Sequence, residues 1–180
     1  MSARPSPGRR AALWLAAIAL ALAAPRATGA TIREGRTATL PAPSGRLEWA
    51  AWTERGRSGR AVILALRVPG RAGGRPVWST AWRDAYAPAL RAVPGWRSRG
   101  RPLVALTLSY GAAAQEVLLF AAEGAGPPRQ VAAHLASAIE WRAGPPGGTV
   151  LVAYERDASD AVPRCRNWNG SALVPVVCPG

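Results

Sequence analysis

Short apolar runs with a two-residue period dominate the chain from residue 47 onward. Leu47, Trp49 and Ala51 share one parity, and Glu48, Ala50 and Trp52 share the other. That is the pattern of a strand with unlike faces. Residues 61–68 (AVILALRV) are apolar on both parities for most of their length, so they read as a central strand. The polar stretch ERGRSGR between them joins the two into a hairpin. Residues 103–110 and 115–122 form a second such pair across Gly111-Ala112-Ala113-Ala114. TVLVAYE at 149–155 is another strand, preceded by a GPPGG turn at 144–148. Asn169-Gly170 predicts a two-residue hairpin flanked by Trp168 and Ser171, because both central positions of a type I′ turn need positive φ.

Two segments carry a mixed signal. In residues 79–93, Trp82, Tyr86, Leu90 and Val93 recur at helical spacing behind Ser79 as an N-cap. Pro88 argues against a long helix there. In residues 130–142 the alanine content fits a helix, yet Val131, Leu135, Ile139 and Trp141 fall on one parity and Gln130, His134, Glu140 and Arg142 on the other. Residues 139–143 read as strand, and 129–138 stay open between helix and strand. Glu48-Trp49, a Gly-rich turn and AVILALRV are echoed by Glu140-Trp141, a Gly/Pro turn and TVLVAYER, which hints at a repeated β unit. The predicted fold is mainly β. It is a small single-domain antiparallel sheet, sandwich or barrel-like meander with a C-terminal disulfide hairpin. The alternative is α+β, with helices near 79–93 and 129–141.

The first thirty residues have a different pattern. Arg4, Arg9 and Arg10 precede an unbroken apolar run at 11–24, which Pro25 ends and small residues follow. These are the three regions of an export signal. Fourteen helical residues reach about 21 Å, short of the ~30 Å of a bilayer core. Residues 1–30 are therefore expected to be cleaved, with the cut after Ala30, leaving 31–180 as one globular domain with no membrane span. Arg9-Arg10 also fits a twin-arginine signal, although a general secretory signal explains it as well. The expected destination is the periplasm or the exterior.

Composition changes the meaning of the charge. The 180 residues hold 23 basic and 10 acidic side chains, a formal net charge of +13, and every basic one is arginine. Lysine is absent, as in a very GC-rich coding sequence, so the basic excess alone is a weak sign of nucleic-acid binding. Removing 1–30 takes away four arginines and no acid, which lowers the net charge to +9. Without lysine there is no Schiff-base, phosphate-loop or Ser–Lys chemistry. With His134 as the one histidine, His-rich zinc sites are excluded. His134 has no nucleophile elbow to serve. No cofactor is expected.

Four sets of residues remain as candidates. Cys165 and Cys178 are the only cysteines, and in an exported chain they are expected to pair. A two-residue hairpin would set Cys165 opposite residue 174, so a bulge near Pro175 or a looser end would be needed. Arg55, Arg57 and Arg60 lie in the first turn, and Arg97, Arg99 and Arg101 alternate along one face. Together with Trp52, on the parity of Glu48 and Glu54, they form a candidate Arg/Trp surface. The bland explanation is solvated edges and turns, where charge blocks edge-to-edge pairing. Glu48 with Glu54, Glu140 with Glu155 and Asp157 with Asp160 are candidate carboxylate pairs. The leading expectation is a non-catalytic binding or structural module of the envelope, whose partner is an envelope component or an anionic polymer. The alternatives are an anionic-polymer binder (glycan, lipopolysaccharide or nucleic acid) acting through the Arg/Trp surface, and a carboxylate-dependent hydrolase.

Overall fold

Apolar positions on both parities require burial on two faces, and the chain meets this by stacking three sheets. The computed structural model describes residues 32–70, 75–121, 127–144, 148–157 and 160–179. The expected export segment 1–30 lies outside the described residues, as does the centre of the GPPGG turn. Among the described residues there are twelve strands and no helix. The first sheet holds β1 (Ile32–Pro41), β2 (Glu48–Gly56), β3 (Gly59–Arg67) and β4 (Trp78–Arg83). The second holds β5 (Ala85–Ser98), β6 (Arg101–Tyr110), β7 (Ala114–Ala121) and β8 (Arg129–Ala136). The third holds β9 (Ala138–Gly144), β10 (Gly148–Asp157), β11 (Asp160–Trp168) and β12 (Leu173–Val176). Each sheet is an antiparallel meander in chain order.

The second sheet is the middle layer. Val104, Leu106, Leu108, Leu118 and Phe120 on one of its faces pack against Trp49, Val62, Leu64 and Leu66 of the first sheet. Leu103, Ala105, Val117 and Leu119 on its other face meet Ile139, Trp141, Leu151 and Trp168 of the third. This explains the unbroken apolar runs at 102–106 in β6 and 117–121 in β7, as in any strand covered on both sides. Two indole donors tie the second and third layers together. Trp96 Nε1 donates to the Thr149 carbonyl at 2.9 Å, and Trp168 Nε1 donates to the Arg97 carbonyl at 2.7 Å.

The sheets follow one another with almost no connection. Only Asp84 separates β4 from β5, and only Ser137 separates β8 from β9. Asp84 takes a left-handed φ of 60° and donates its N–H to the Arg60 carbonyl at 2.8 Å. Ser137 donates likewise to the Tyr154 carbonyl at 2.8 Å. The three meanders begin at residues 32, 85 and 138, 53 residues apart each time.

The helices at 79–93 and 129–141 are absent. Both segments are strands that turn a corner. The helical spacing of Leu90 and Val93 arises because β5 changes the face it buries along its length. Leu90 points to the first sheet and Val93 to the third, and an extra residue between Tyr86 and Ala89 shifts the parity. The Cys165–Cys178 disulfide is present, with Cα atoms 5.1 Å apart. Its hairpin differs from the two-residue turn expected. Trp168 pairs with Leu173 across a four-residue loop. Asn169 Oδ1 accepts the N–H groups of Ser171 and Ala172 at 3.0 and 2.9 Å. The two added loop residues set Cys165 opposite Val176, which brings Cys178 within reach without a bulge.

Candidate functional site

Among the described residues, one concave site lies where the first sheet meets the start of β5. Its lining includes Glu34, Gly35, Thr53, Arg60, Tyr86, Ala87 and Pro88, around a cavity of about 300 Å³. Arg55 and Arg60 are direct cross-strand partners in the β2–β3 hairpin. Two like charges in that position repel, and Glu34 of β1 reconciles them. Its Oε1 lies 2.8 Å from Arg55 Nε and its Oε2 2.8 Å from Arg60 Nε. The two guanidiniums exceed the one carboxylate by a unit of charge, and both reach solvent, being 58% and 37% exposed.

Two irregularities aim these groups. The β1–β2 register shifts between Glu34 and Ala38, where Gly35 has a φ of 71°. The β5–β6 register shifts between Tyr86 and Ala89, where Ala87 is held at a φ of 47°. Bulges re-aim side chains in this way, and a non-glycine residue at positive φ carries strain that its surroundings must hold. Tyr86 is fixed at both ends. Its hydroxyl donates to the Gly111 carbonyl, and the Arg60 guanidinium lies 5.8 Å from its ring centroid.

The other candidates are placed differently. Trp52 points to the opposite face of the first sheet and is only 8% exposed. Its Nε1 donates to Glu54 at 2.7 Å, and the Arg33 guanidinium covers its ring at 4.4 Å. Arg57 sits in the exposed β2–β3 turn. Arg97, Arg99 and Arg101 gather at the β5–β6 turn, where Arg97 Nη1 donates to the Gly100 carbonyl and Arg99 has a φ of 50°. Because β5 begins beside Arg60 and runs 14 residues to that turn, on the order of 40 Å of strand separates the two arginine groups. They do not form one surface with Trp52.

None of the candidate carboxylate pairs faces across a cleft. Glu48 is engaged by Arg67 at 2.8 Å, and Glu54 holds Trp52. Glu140 and Glu155 are on opposite faces of the third sheet, since Glu140 pairs with Val152. Asp157 and Asp160 are exposed cross-strand partners at the end of the β10–β11 pair. Among the described residues no group of His, Cys, Asp and Glu is arranged to hold a metal ion.

A second, shallower hollow of about 260 Å³ lies at the corner between the second and third sheets, lined by Ala114, Leu135, Ser137, Glu155 and Arg156 among others. Beside it His134 Nε2 lies 3.3 Å from Glu155 Oε1 without hydrogen-bonding alignment. Arg166 Nη2 donates to the same oxygen at 2.9 Å. Burial and then Arg166 hold the histidine below its ordinary pKa, against the pull of Glu155. The Arg166 hydrogen bond holds the Glu155 carboxyl low. On the other face of the second sheet, burial and the Glu116 carboxylate that accepts its proton at 3.0 Å push the Tyr110 hydroxyl up to about 12.

The arginines of the first turn could be read from sequence, but Glu34 and Tyr86 could not. Their only signal was the placing of Arg55 opposite Arg60 across the turn, a repulsion that an acid from a third strand relieves. The sequence matches no family model, no curated protein and no solved structure.

Proposed function

We propose that the chain is an exported, non-catalytic binding module of the cell envelope, and that the cleft between the first sheet and β5 receives its ligand. The observation that carries this reading is the convergence of Arg55 and Arg60 on Glu34 beside the fixed ring of Tyr86. Surplus guanidinium donors, an aromatic wall and a carboxylate acceptor in one concavity are the parts of a recognition site. The disulfide suits an oxidising compartment outside the cytoplasm. Among the described residues no helix is long and apolar enough to cross a membrane. Periplasmic or secreted residence, after loss of 1–30, is part of the proposal. A continuous Arg/Trp polymer surface has less support, because its arginines lie at opposite ends of β5. A hydrolase has less support too, because the candidate acids are paired or turned apart.

The test is binding of the purified, oxidised protein to polymers isolated from the envelope, with Arg60→Gln as the control. Saturable, salt-sensitive binding that weakens at least about tenfold in the variant supports the reading. A variant that binds like the parent, with its melting temperature unchanged, overturns it.

A further inference from the structure

We infer that the cleft selects a sugar carrying one carboxylate, of the uronic-acid class, over neutral sugars and over small or polyvalent anions. This rests on the cleft being the binding site.

Two guanidiniums offer about ten N–H donors, whereas one carboxylate accepts about four hydrogen bonds. Glu34 therefore leaves most of the donors of Arg55 and Arg60 for a second acceptor. Planar guanidinium groups match a carboxylate in both geometry and charge. A bare anion would be held by that feature alone, but the rest of the lining points to a ring with hydroxyls. Glu34 remains an acceptor within the cleft, which suits hydroxyl donors. Tyr86, Ala87 and Pro88 supply an apolar wall for the C–H face of a sugar. The Tyr86 ring is set in advance by Gly111 and Arg60, so little order is lost on binding.

The same carboxylate limits the charge of the ligand. Arg60 and Glu34 line the cleft, and Arg55 stands beside them on the other oxygen of Glu34, so the three groups together carry one net positive charge. A single ligand carboxylate neutralises it. Each further negative charge meets Glu34 with no further guanidinium to offset it, so a polyvalent phosphate is disfavoured. The volume of about 300 Å³ lies at the small end for ligand sites and suits one ring rather than a stretch of polymer.

The experiment is an NMR titration of the oxidised protein with glucuronate, glucose, acetate and inorganic phosphate. Resonances of Tyr86 and of the Arg55 and Arg60 side chains are the readout. Glucuronate is expected to bind at least tenfold more tightly than the other three. Arg60→Gln is expected to remove that advantage. Glu34→Gln is expected to raise phosphate binding towards that of glucuronate. Spectral dispersion away from the cleft reports folding, and Arg55→Gln at the more exposed partner replaces any variant that fails to fold. Equal binding of glucose overturns the charge selection. Equal binding of acetate or phosphate overturns the sugar assignment. If none of the four binds but an envelope polymer shifts the same resonances, the uronate inference falls and the binding module stands. If neither polymer nor sugar perturbs the cleft, both fall.

Discussion

His134 is a residue whose contribution to stability should fall as the solution becomes acid. It stands between β7 and the third sheet, opposite Val117 in register and facing Glu155 of β10 and Arg166 of β11. Its pKa is lowered by burial first and Arg166 second, so the folded state holds this proton less tightly than the unfolded chain, where the value is about 6.5. Stability contributed this way is intact above about pH 6.5 and declines as the pH falls below it. Glu155 acts in a lower window. Its depressed value means its contribution is intact above about pH 4.5 and is lost as the pH falls further. Melting temperature measured from about pH 8 down to about pH 5 should therefore decline below about pH 6.5. His134→Gln should flatten that decline while leaving the acid limb below about pH 4.5 in place. An unchanged profile in the variant would assign the decline to other groups. Neither the pairing of His134 nor that of Glu34 could be read from the chain. Each depends on residues from separate strands, and parity along one strand says nothing about its third neighbour.

At the scale of elements, legibility followed burial. β2, β3, β6, β7 and β10 were readable because each has at least one continuous apolar face. β1 was not, and of β11 only the end beside Asn169-Gly170 was, since IREGRTATLP and DAVPRCRNW carry polar residues on both parities and depend on their neighbours for strand structure. The mixed signal at 79–93 misled for a different reason, because a strand that changes its buried face along its length imitates a helix. The terminal hairpin shows how turn chemistry sets register. Asn169 takes the role expected of the Asn-Gly pair, but its side chain accepts two backbone N–H groups and so closes a longer loop. Asn169→Ala should cost about 1–2 kcal/mol by chemical denaturation. Replacing Cys165 and Cys178 together by serine should cost roughly 3 kcal/mol, or about 6–12 °C in melting temperature. A loss under about 1 kcal/mol would mean that the hairpin holds its register without the crosslink.

The whole molecule depends on its middle layer. Phe120 of β7 lies 6.0, 6.3 and 6.0 Å from the ring centroids of Trp49, Trp78 and Trp82, so one side chain joins β2, β4 and β7. Phe120→Ala should cost about 3–5 kcal/mol. Because the second sheet takes part in both interfaces, tryptophan fluorescence and far-UV circular dichroism should report one shared unfolding transition in the variant. Separate transitions would show that the first sheet melts alone. Intact mass of the protein from its native fraction should match a start at Thr31, with two hydrogens fewer than the free-thiol form. A full-length, reduced chain would contradict export. The three-sheet stack itself was legible only as a faint echo. The sequence similarity fell on β2–β3 and β9–β10, which occupy different places in their meanders, whereas the true spacing of 53 residues carries no common motif.

The corners at Asp84 and Ser137 restrict how such a chain can vary. With a single residue between sheets, no slack exists to absorb an insertion or a deletion there. A strand reverses its faces with every residue gained or lost, and β5 sends Leu90 to one neighbouring layer and Val93 to the other. One added residue at position 84 would thus exchange the inner and outer partners of the strand that follows, whereas the same residue added in the 42–47 connection would lengthen a loop. Among the connections, tolerance to length change should therefore be low at two single positions spaced one meander apart and higher in the loops within each sheet, a periodic pattern that an insertion scan of the expressed protein would trace directly.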